Sequence, residues 1–369
     1  MTTIGVMGYG QLGRMLAIHG LALGVDFRFW DMRTEAYFCV IPPYDSPVAT
    51  GDKALDTFLE AVEVVTFETE NVPHALVERI AHKKAVIPSA KALAVCQNRL
   101  AEKRLCQQLQ IPVAPFFEIH TETDLQTAFK TLSGEIIVKT VALGYDGKGQ
   151  RRIADSAKIR AAWAALEGQA LIAEKKVNFQ FECSLIAVRD RLGKVVFYPL
   201  MQNEHQSGIL YCSRVMDSQW LAALQPQAER IAHRLLDYFD YTGVLTIEFF
   251  VDPQGVLLVN ELAPRVHNSG HLTIEGFDYN QFEQHVRALV GLPIHTPTLR
   301  YTHVAMINIV GQSVDPQQIL QFPAAHLHWY GKSVQPNRKV GHVTVATNDE
   351  NVFSDTVTAI KQLVLPIDS

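Results

Sequence analysis

Cysteine is scarce in this 369-residue chain: Cys39, Cys96, Cys106, Cys183 and Cys212 are odd in number, scattered, and include no C-x-x-C pair. Such a set makes neither a disulfide framework nor a zinc cage, and it fits reduced thiols in a cytoplasmic protein. Long apolar runs are missing too. None approaches the roughly 20 residues needed to cross a bilayer, and the opening MTTIGVMGYGQLGRM lacks the basic-then-apolar order of a secretory signal. Nor is there an excess of positive charge. With 33 Lys and Arg against 38 Asp and Glu, the net charge of −5 excludes a surface that coats nucleic acid, while leaving room for a local basic pocket. No internal repeat or low-complexity tract is present.

What remains is a globular composition, 48% hydrophobic and 19% charged, on a chain long enough for two or three domains. The first ~95 residues alternate strands and helices. Ile4–Met7, Asp26–Trp30 and Val62–Phe67 read as strands and Gln11–Ala22 as a helix, and Ser89 is a suitable N-cap for another. This order predicts a mostly parallel sheet with helices on both faces. A second helix is expected from near Asn98, striped by Ala101, Leu105 and Leu109, and Ile111–Pro115 reads as a linker. Beyond it, strands are expected at Glu135–Lys139, Leu171–Glu174, Cys183–Val188, Val195–Tyr198 and Val304–Val310, with a helix at Gln225–Phe239.

Gly8-Tyr9-Gly10-Gln11-Leu12-Gly13 matches G-x-G-x-x-G between a strand and a helix, and Asp31 ends the next strand. Alone this is the dinucleotide-binding pattern and would suggest an NAD-dependent oxidoreductase. The alternative is a tight turn that requires glycine and holds another phosphate, or none.

The segment Val244–His271 carries more chemistry. Val244–Val251 and Val256–Glu261 flank the turn sequence Asp252-Pro253-Gln254-Gly255 and predict a β-hairpin. With a four-residue loop, Glu248 faces Val259, and Glu261 lies diagonally on the same face, about 7–8 Å away at the backbone. Two acids among apolar residues need a reason. Oxygen ligands on a hairpin suit Mg²⁺, which shares its shell with water and phosphate. A solvated sheet face, or salt bridges to arginines such as Arg265, would also account for them. The loop that follows packs Asn260, Glu261, Arg265, His267, Asn268 and His271 into twelve residues, a density suited to a reaction that develops negative charge.

NELAPRVHNSGH (260–271) resembles the metal-binding signature of the 5-(carboxyamino)imidazole ribonucleotide synthase family of ATP-grasp ligases. GQLGRM (10–15), FETENVP (67–73), GYDGKGQ (144–150), NFQFECS (178–184), HLHWYGK (326–332) and RKVGHV (338–343) occur in the family's order, so the resemblance covers nearly the whole chain. It implies a mixed α/β and α+β fold. Residues 1–97 would form a Rossmann-like N-terminal (pre-ATP-grasp) substrate-binding domain, 98–292 an ATP-grasp domain, and 293–369 a small C-terminal domain closing the substrate site. It further implies a homodimer that uses ATP to carboxylate 5-aminoimidazole ribonucleotide with bicarbonate in purine biosynthesis.

The same resemblance assigns residues. ATP would meet Arg99, Lys139, the loop Gly144, Tyr145, Asp146, Gly147, Lys148, Gly149 and Gln150, the strand end Glu174, Lys175, Lys176 and Val177, and Glu182, His205, Asn260 and Glu261. Mg²⁺ would be held by Glu248 and Glu261, with Asn268 as a further ligand. Arg265, His267, Asn268 and Lys339 would surround the reacting carboxyphosphate. The substrate ribonucleotide would contact Gln11, Leu12, Glu68, Tyr145, Asp146, Lys148, Arg338 and Lys339, its phosphate on the Gln11–Leu12 amides. Leu143 stands where the family often has glycine, and Lys148 where arginine is also common, which changes lid flexibility and bidentate geometry. Competing readings are a formate-using glycinamide ribonucleotide formyltransferase, an NAD-dependent oxidoreductase, and a non-catalytic nucleotide-binding subunit.

Overall fold

The structure is a computed structural model and describes residues 2–39, 41, 46–51, 53–142, 149–166 and 169–364. Three sheets organise these residues. The first is six-stranded, in the order Ala49–Thr50, Ala36–Phe38, Asp26–Asp31, Thr3–Met7, Val64–Phe67, Ala85–Val86. Its centre is parallel, as the alternating pattern predicts, and the strands at 36–38 and 49–50 join it through antiparallel pairings. Ile4, Val6, Met7, Val65 and Phe67 are buried on both faces, the requirement for a sheet with helices on either side. The helix Gln11–Leu21 covers one face and packs on the helix Gln281–Val290.

The second sheet is a four-stranded antiparallel unit ordered Phe116–Ile119, Leu171–Lys175, Ile136–Thr140, Gln150–Ile153. It has its own core of Ile119, Leu125, Ile136, Val138, Ile153 and Leu171 beneath the helices Glu122–Thr131 and Ile159–Leu166. Asn98 caps the helix Arg99–Gln108 by accepting from the Ala101 amide, and Ser89 does the same for the helix Ala90–Cys96.

The third sheet has nine strands and is antiparallel. Eight follow the order Leu257–Ala263, Gly243–Val251, Phe181–Arg189, Met201–Gln206, Ile209–Val215, His303–Val310, Lys339–Thr347, Ala325–Trp329, and Val195–Phe197 pairs with Phe181–Arg189 off that path. Cys212 faces Ile307 across Ile209–Val215 and His303–Val310, so the C-terminal strands extend the central sheet instead of forming one of their own. The long helix runs from Ser218 to Phe239 and starts seven residues before the predicted Gln225. Pro226 reads as a helix start because it lacks an amide. Apolar Trp220, Leu221 and Leu224, packed on the sheet, carry the helix through it.

His285 pins this assembly together. Its Nδ1 accepts from the Val244 amide at 3.0 Å, which leaves a proton on Nε2 for Thr66 Oγ1 at 3.1 Å. A Cβ on Gly243, whose φ is +102°, would meet the ring at 2.9 Å, so only glycine admits the imidazole there. Burial pushes the His285 pKa from 6.5 down to about 4. The unfolded chain therefore takes up a proton that the fold refuses between those values, and stability is lost as pH falls from 6.5 toward 4. Unfolding free energies from urea titrations at pH 7 and pH 4 should differ by about 3 kcal/mol more in the wild type than in His285→Gln. Parallel pH profiles for the two proteins would show that His285 is not the acid-sensitive group.

Candidate active site

A cleft of about 1050 Å³ opens between the three sheets. Its floor is the hairpin of Gly243–Val251 and Leu257–Ala263, and here the structure corrects the predicted register. The loop is five residues long, since Val251 pairs with Leu257, and Phe249 pairs with Val259. That register alone would set Glu248 against Asn260 and turn Glu261 to the opposite face. A β-bulge absorbs Asn260, and Glu248 faces Glu261 directly. The two carboxylates are thus closer neighbours than the diagonal pair expected.

Their environments differ. Glu248 Oε1 pairs with His267 Nε2 at 2.9 Å, and His267 Nδ1 accepts from the Ser269 amide, so one tautomer serves both contacts. Burial works against the Glu248 charge, yet the bonded imidazole holds its pKa down at about 2. Burial and the charge of Glu248 raise Glu261, which opens on to the cleft. Among the described residues no three His, Cys, Asp or Glu side chains converge into a metal cage. Two facing carboxylates in an open cleft suit instead a hard cation that completes its shell with water and phosphate. The residues present fit Mg²⁺.

Around this pair, Arg265 Nε donates to Glu70 Oε2 at 2.5 Å and Nη1 to the Val266 carbonyl at 3.1 Å. Asn268 is tied to Asn308 by bonds of 2.6 and 3.1 Å, in which each amide donates to the other. Elsewhere in the cleft Lys139 Nζ lies 2.9 Å from Glu174 Oε2, and burial of Glu174 is overcome by that lysine, which lowers its pKa. His205 Nδ1 and a Glu182 oxygen are 2.6 Å apart, and this bond outweighs burial to raise the His205 pKa. Arg99 donates to the Thr140 carbonyl at 3.0 Å. Lys175, Lys176, Val177, Gln150, Asn260, Arg338 and Lys339 also line the cleft. Gly149 does not; it sits opposite Thr140, whose Oγ1 a Cβ there would meet at 2.7 Å. Gly144, Tyr145, Asp146, Gly147 and Lys148, with Leu143, lie outside the described residues.

The glycine-rich turn has a different purpose from the one its pattern suggests. Glu68 Oε2 accepts from the Gly13 amide at 2.8 Å, and a Cβ on Gly8 or Gly10 would lie 2.2 and 2.7 Å from the Glu68 side chain. The glycines admit a carboxylate at the place where a dinucleotide would bring its pyrophosphate. Asp31 accepts from Arg33 N and Thr34 Oγ1, closing its own turn. Both observations count against the NAD reading. Gln11 and Leu12 line the cleft next to Glu68, and Gln11 Oε1 accepts from Lys332 Nζ. Burial draws the Lys332 pKa down to about 8 even beside Glu68. Lys332, Glu70, Glu102 and Arg33 are cleft residues that the sequence reading did not single out. The first two lie inside the motifs HLHWYGK and FETENVP, which could have flagged them.

Family comparisons fit this arrangement. The ribonucleotide synthetase preATP-grasp domain matches residues 1–97, the ATP-grasp domain 104–282, and the phosphoribosylaminoimidazole carboxylase C-terminal domain 304–355. The fold and cleft are therefore those of the ATP-grasp class. The N5-carboxyaminoimidazole ribonucleotide synthase of Pseudomonas aeruginosa is 39% identical over 98% of this chain and 99% of its own, and that of Escherichia coli is 36% identical over 99% and 96%. The crystal structure of the Thermus thermophilus synthetase superposes with a TM-score of 0.90 at 39% identity, covering 99% of both chains. An Aspergillus clavatus synthase in complex with ADP and 5-aminoimidazole ribonucleotide does so at 0.86 and 28% identity, covering 98% of both. The chain belongs to the N5-carboxyaminoimidazole ribonucleotide synthase family, the family of the sequence resemblance under its other name. No helix among the described residues is long and apolar enough to cross a membrane.

Proposed function

We propose that this protein carboxylates 5-aminoimidazole ribonucleotide. ATP phosphorylates bicarbonate to carboxyphosphate, and the substrate amine captures it, or the CO₂ it releases, giving 5-(carboxyamino)imidazole ribonucleotide, ADP and phosphate. The observation that carries the reading is the facing pair Glu248 and Glu261 on the same cleft floor as Arg265 and His267.

Glu248 and Glu261 would hold Mg²⁺, and Mg²⁺ bound there neutralises charge on the transferring phosphoryl group. Lys139 and Arg99 stand where ATP phosphates would lie, so nucleotide binding would draw Lys139 from Glu174. Glu182, aligned by His205, offers a carboxylate to a ribose. Arg265, fixed by Glu70, presents a guanidinium to an anionic carboxyl phosphate, and Lys339, which also lines the cleft, adds a second cation. The substrate phosphate would lie near Arg338, Lys332 and the Gln11–Leu12 end of the helix Gln11–Leu21. Five free thiols agree with a cytoplasmic setting, and the homodimer rests on family resemblance alone.

The test is ADP release from Mg·ATP and bicarbonate with purified protein. Release is expected to depend on 5-aminoimidazole ribonucleotide. Stimulation instead by glycinamide ribonucleotide with formate would keep the class and overturn the substrate.

A further inference from the structure

The bulge that brings Glu261 opposite Glu248 lies on an edge strand, and an edge strand has backbone groups that no neighbouring strand satisfies. In a regular strand the outward-facing amides recur at every second residue. Here they do not. Val259 directs its amide to the Pro112 carbonyl at 2.9 Å and its carbonyl to Lys103 Nζ at 2.9 Å. The next outward amide is that of Leu262, three residues on, and it donates to Glu102 Oε2 at 2.9 Å. The Asn260 carbonyl, turned outward by the bulge, accepts from the same Lys103 Nζ at 2.8 Å. The backbone groups that fall out of step on either side of Glu261 are therefore taken up by two adjacent side chains of the helix Arg99–Gln108.

Both are side chains a protein does not bury without a use. Lys103 is 1% exposed and Glu102 is 2% exposed. Among the described residues the carboxylate paired with Lys103 is that of Glu174 at 3.9 Å, so its closest bonds go to the two bulge carbonyls. Among the described residues Glu102 Oε1 has no hydrogen-bond partner, and its Oε2 accepts from the Leu262 amide. Burial pushes the Glu102 pKa up to about 8, so a carboxyl held largely protonated and a buried ammonium are both directed at one irregular stretch of backbone, at a large desolvation cost. A straight strand paired through Val259 alone would not require it.

We infer that Glu102 and Lys103 form a clamp that holds the β-bulge in place and thereby sets Glu261 opposite Glu248 as a metal-binding pair. They are positioning residues. The inference rests on the proposed metal site, and it assigns the placement of Glu261 to side chains outside the motif NELAPRVHNSGH. Without the clamp the strand can relax toward regular pairing, which rotates Glu261 away from Glu248.

The experiment measures Mn²⁺ binding to the protein–ADP complex by the loss of the free-ion electron spin resonance signal. ADP affinity in EDTA and thermal melting are recorded for the same samples. Glu102→Leu and Lys103→Met each remove one arm of the clamp and should weaken Mn²⁺ binding by about tenfold or more, the range for losing a residue that orients a ligand. ADP affinity in EDTA should stay within about twofold. Glu102→Gln keeps an oxygen for the Leu262 amide and should hold Mn²⁺ within about threefold of wild type. It also keeps the experiment decisive if Glu102→Leu does not fold, because a large Mn²⁺ loss in a folded Glu102→Gln overturns the clamp. So do folded Glu102→Leu and Lys103→Met proteins that bind Mn²⁺ like wild type, or that lose ADP and Mn²⁺ together. Glu261→Gln separates the two levels. If it binds Mn²⁺ normally, the metal site itself is wrong, whatever the clamp variants do.

Discussion

Glu261→Gln is expected to lower ADP release by about 10³-fold, the ~4 kcal/mol that charge neutralisation of a transferring phosphoryl group supplies. The amide keeps the shape of the carboxylate and removes only its charge. Because Glu248 lies directly opposite and its charge already raises the Glu261 pKa, the substitution relieves a like-charge contact. The melting temperature should therefore be unchanged or higher while turnover collapses. That split separates a metal ligand from a structural acid. A structural acid would lose stability first and activity in proportion. A Glu261→Gln protein that retains more than about a tenth of wild-type turnover would remove the facing carboxylates from the reaction. Steady-state ADP release at saturating Mg·ATP, with melting curves on the same preparations, decides it.

Much of this site was legible in the sequence because its chemistry is local. NELAPRVHNSGH places a carboxylate, a guanidinium and two imidazoles within twelve residues, and any fold that forms the hairpin brings them to one end of it. The parallel centre of the first sheet was legible for a similar reason, since strand and helix periods alternate cleanly over the first ~95 residues. The hairpin register was not. Alternation fixes which residues share a face only while pairing is regular, and the bulge depends on Lys103 and Glu102, more than 150 positions away in the chain. The meaning of Gly8–Gly13 was hidden in the same way. The pattern says that something approaches the backbone closely, and only the fold reveals that the visitor is Glu68. The extension of the central sheet by the C-terminal strands was equally out of reach, because Cys212 and Ile307 pair across nearly a hundred residues.

Arg265→Lys should uncouple the enzyme. The guanidinium has five N–H donors, and its bonds to Glu70 and to the Val266 carbonyl engage two of its nitrogens, leaving N–H groups for an anion in the cleft. Burial disfavours its charge, but Glu70 holds the group firmly ionised. A lysine has one nitrogen and cannot satisfy Glu70 and a carboxyl phosphate in the same fork geometry. The residues proposed for ATP are others, so ATP binding should change little. Carboxyphosphate formed beside a lysine would be held less tightly and would break down before the amine captures it. The expected result is a fall of about 10²-fold in carboxylated product, with ADP release falling much less, so that the ratio of product to ADP drops well below one. Glu70→Gln, which loosens Arg265 without removing it, should shift that ratio in the same direction by a smaller amount. If Arg265→Lys slows both products equally and keeps the ratio at one, Arg265 acts in phosphoryl transfer and not in guarding the intermediate. Its place on the cleft floor beside Glu261 would then be the reason, since a cation there stabilises the phosphoryl group before it reaches bicarbonate.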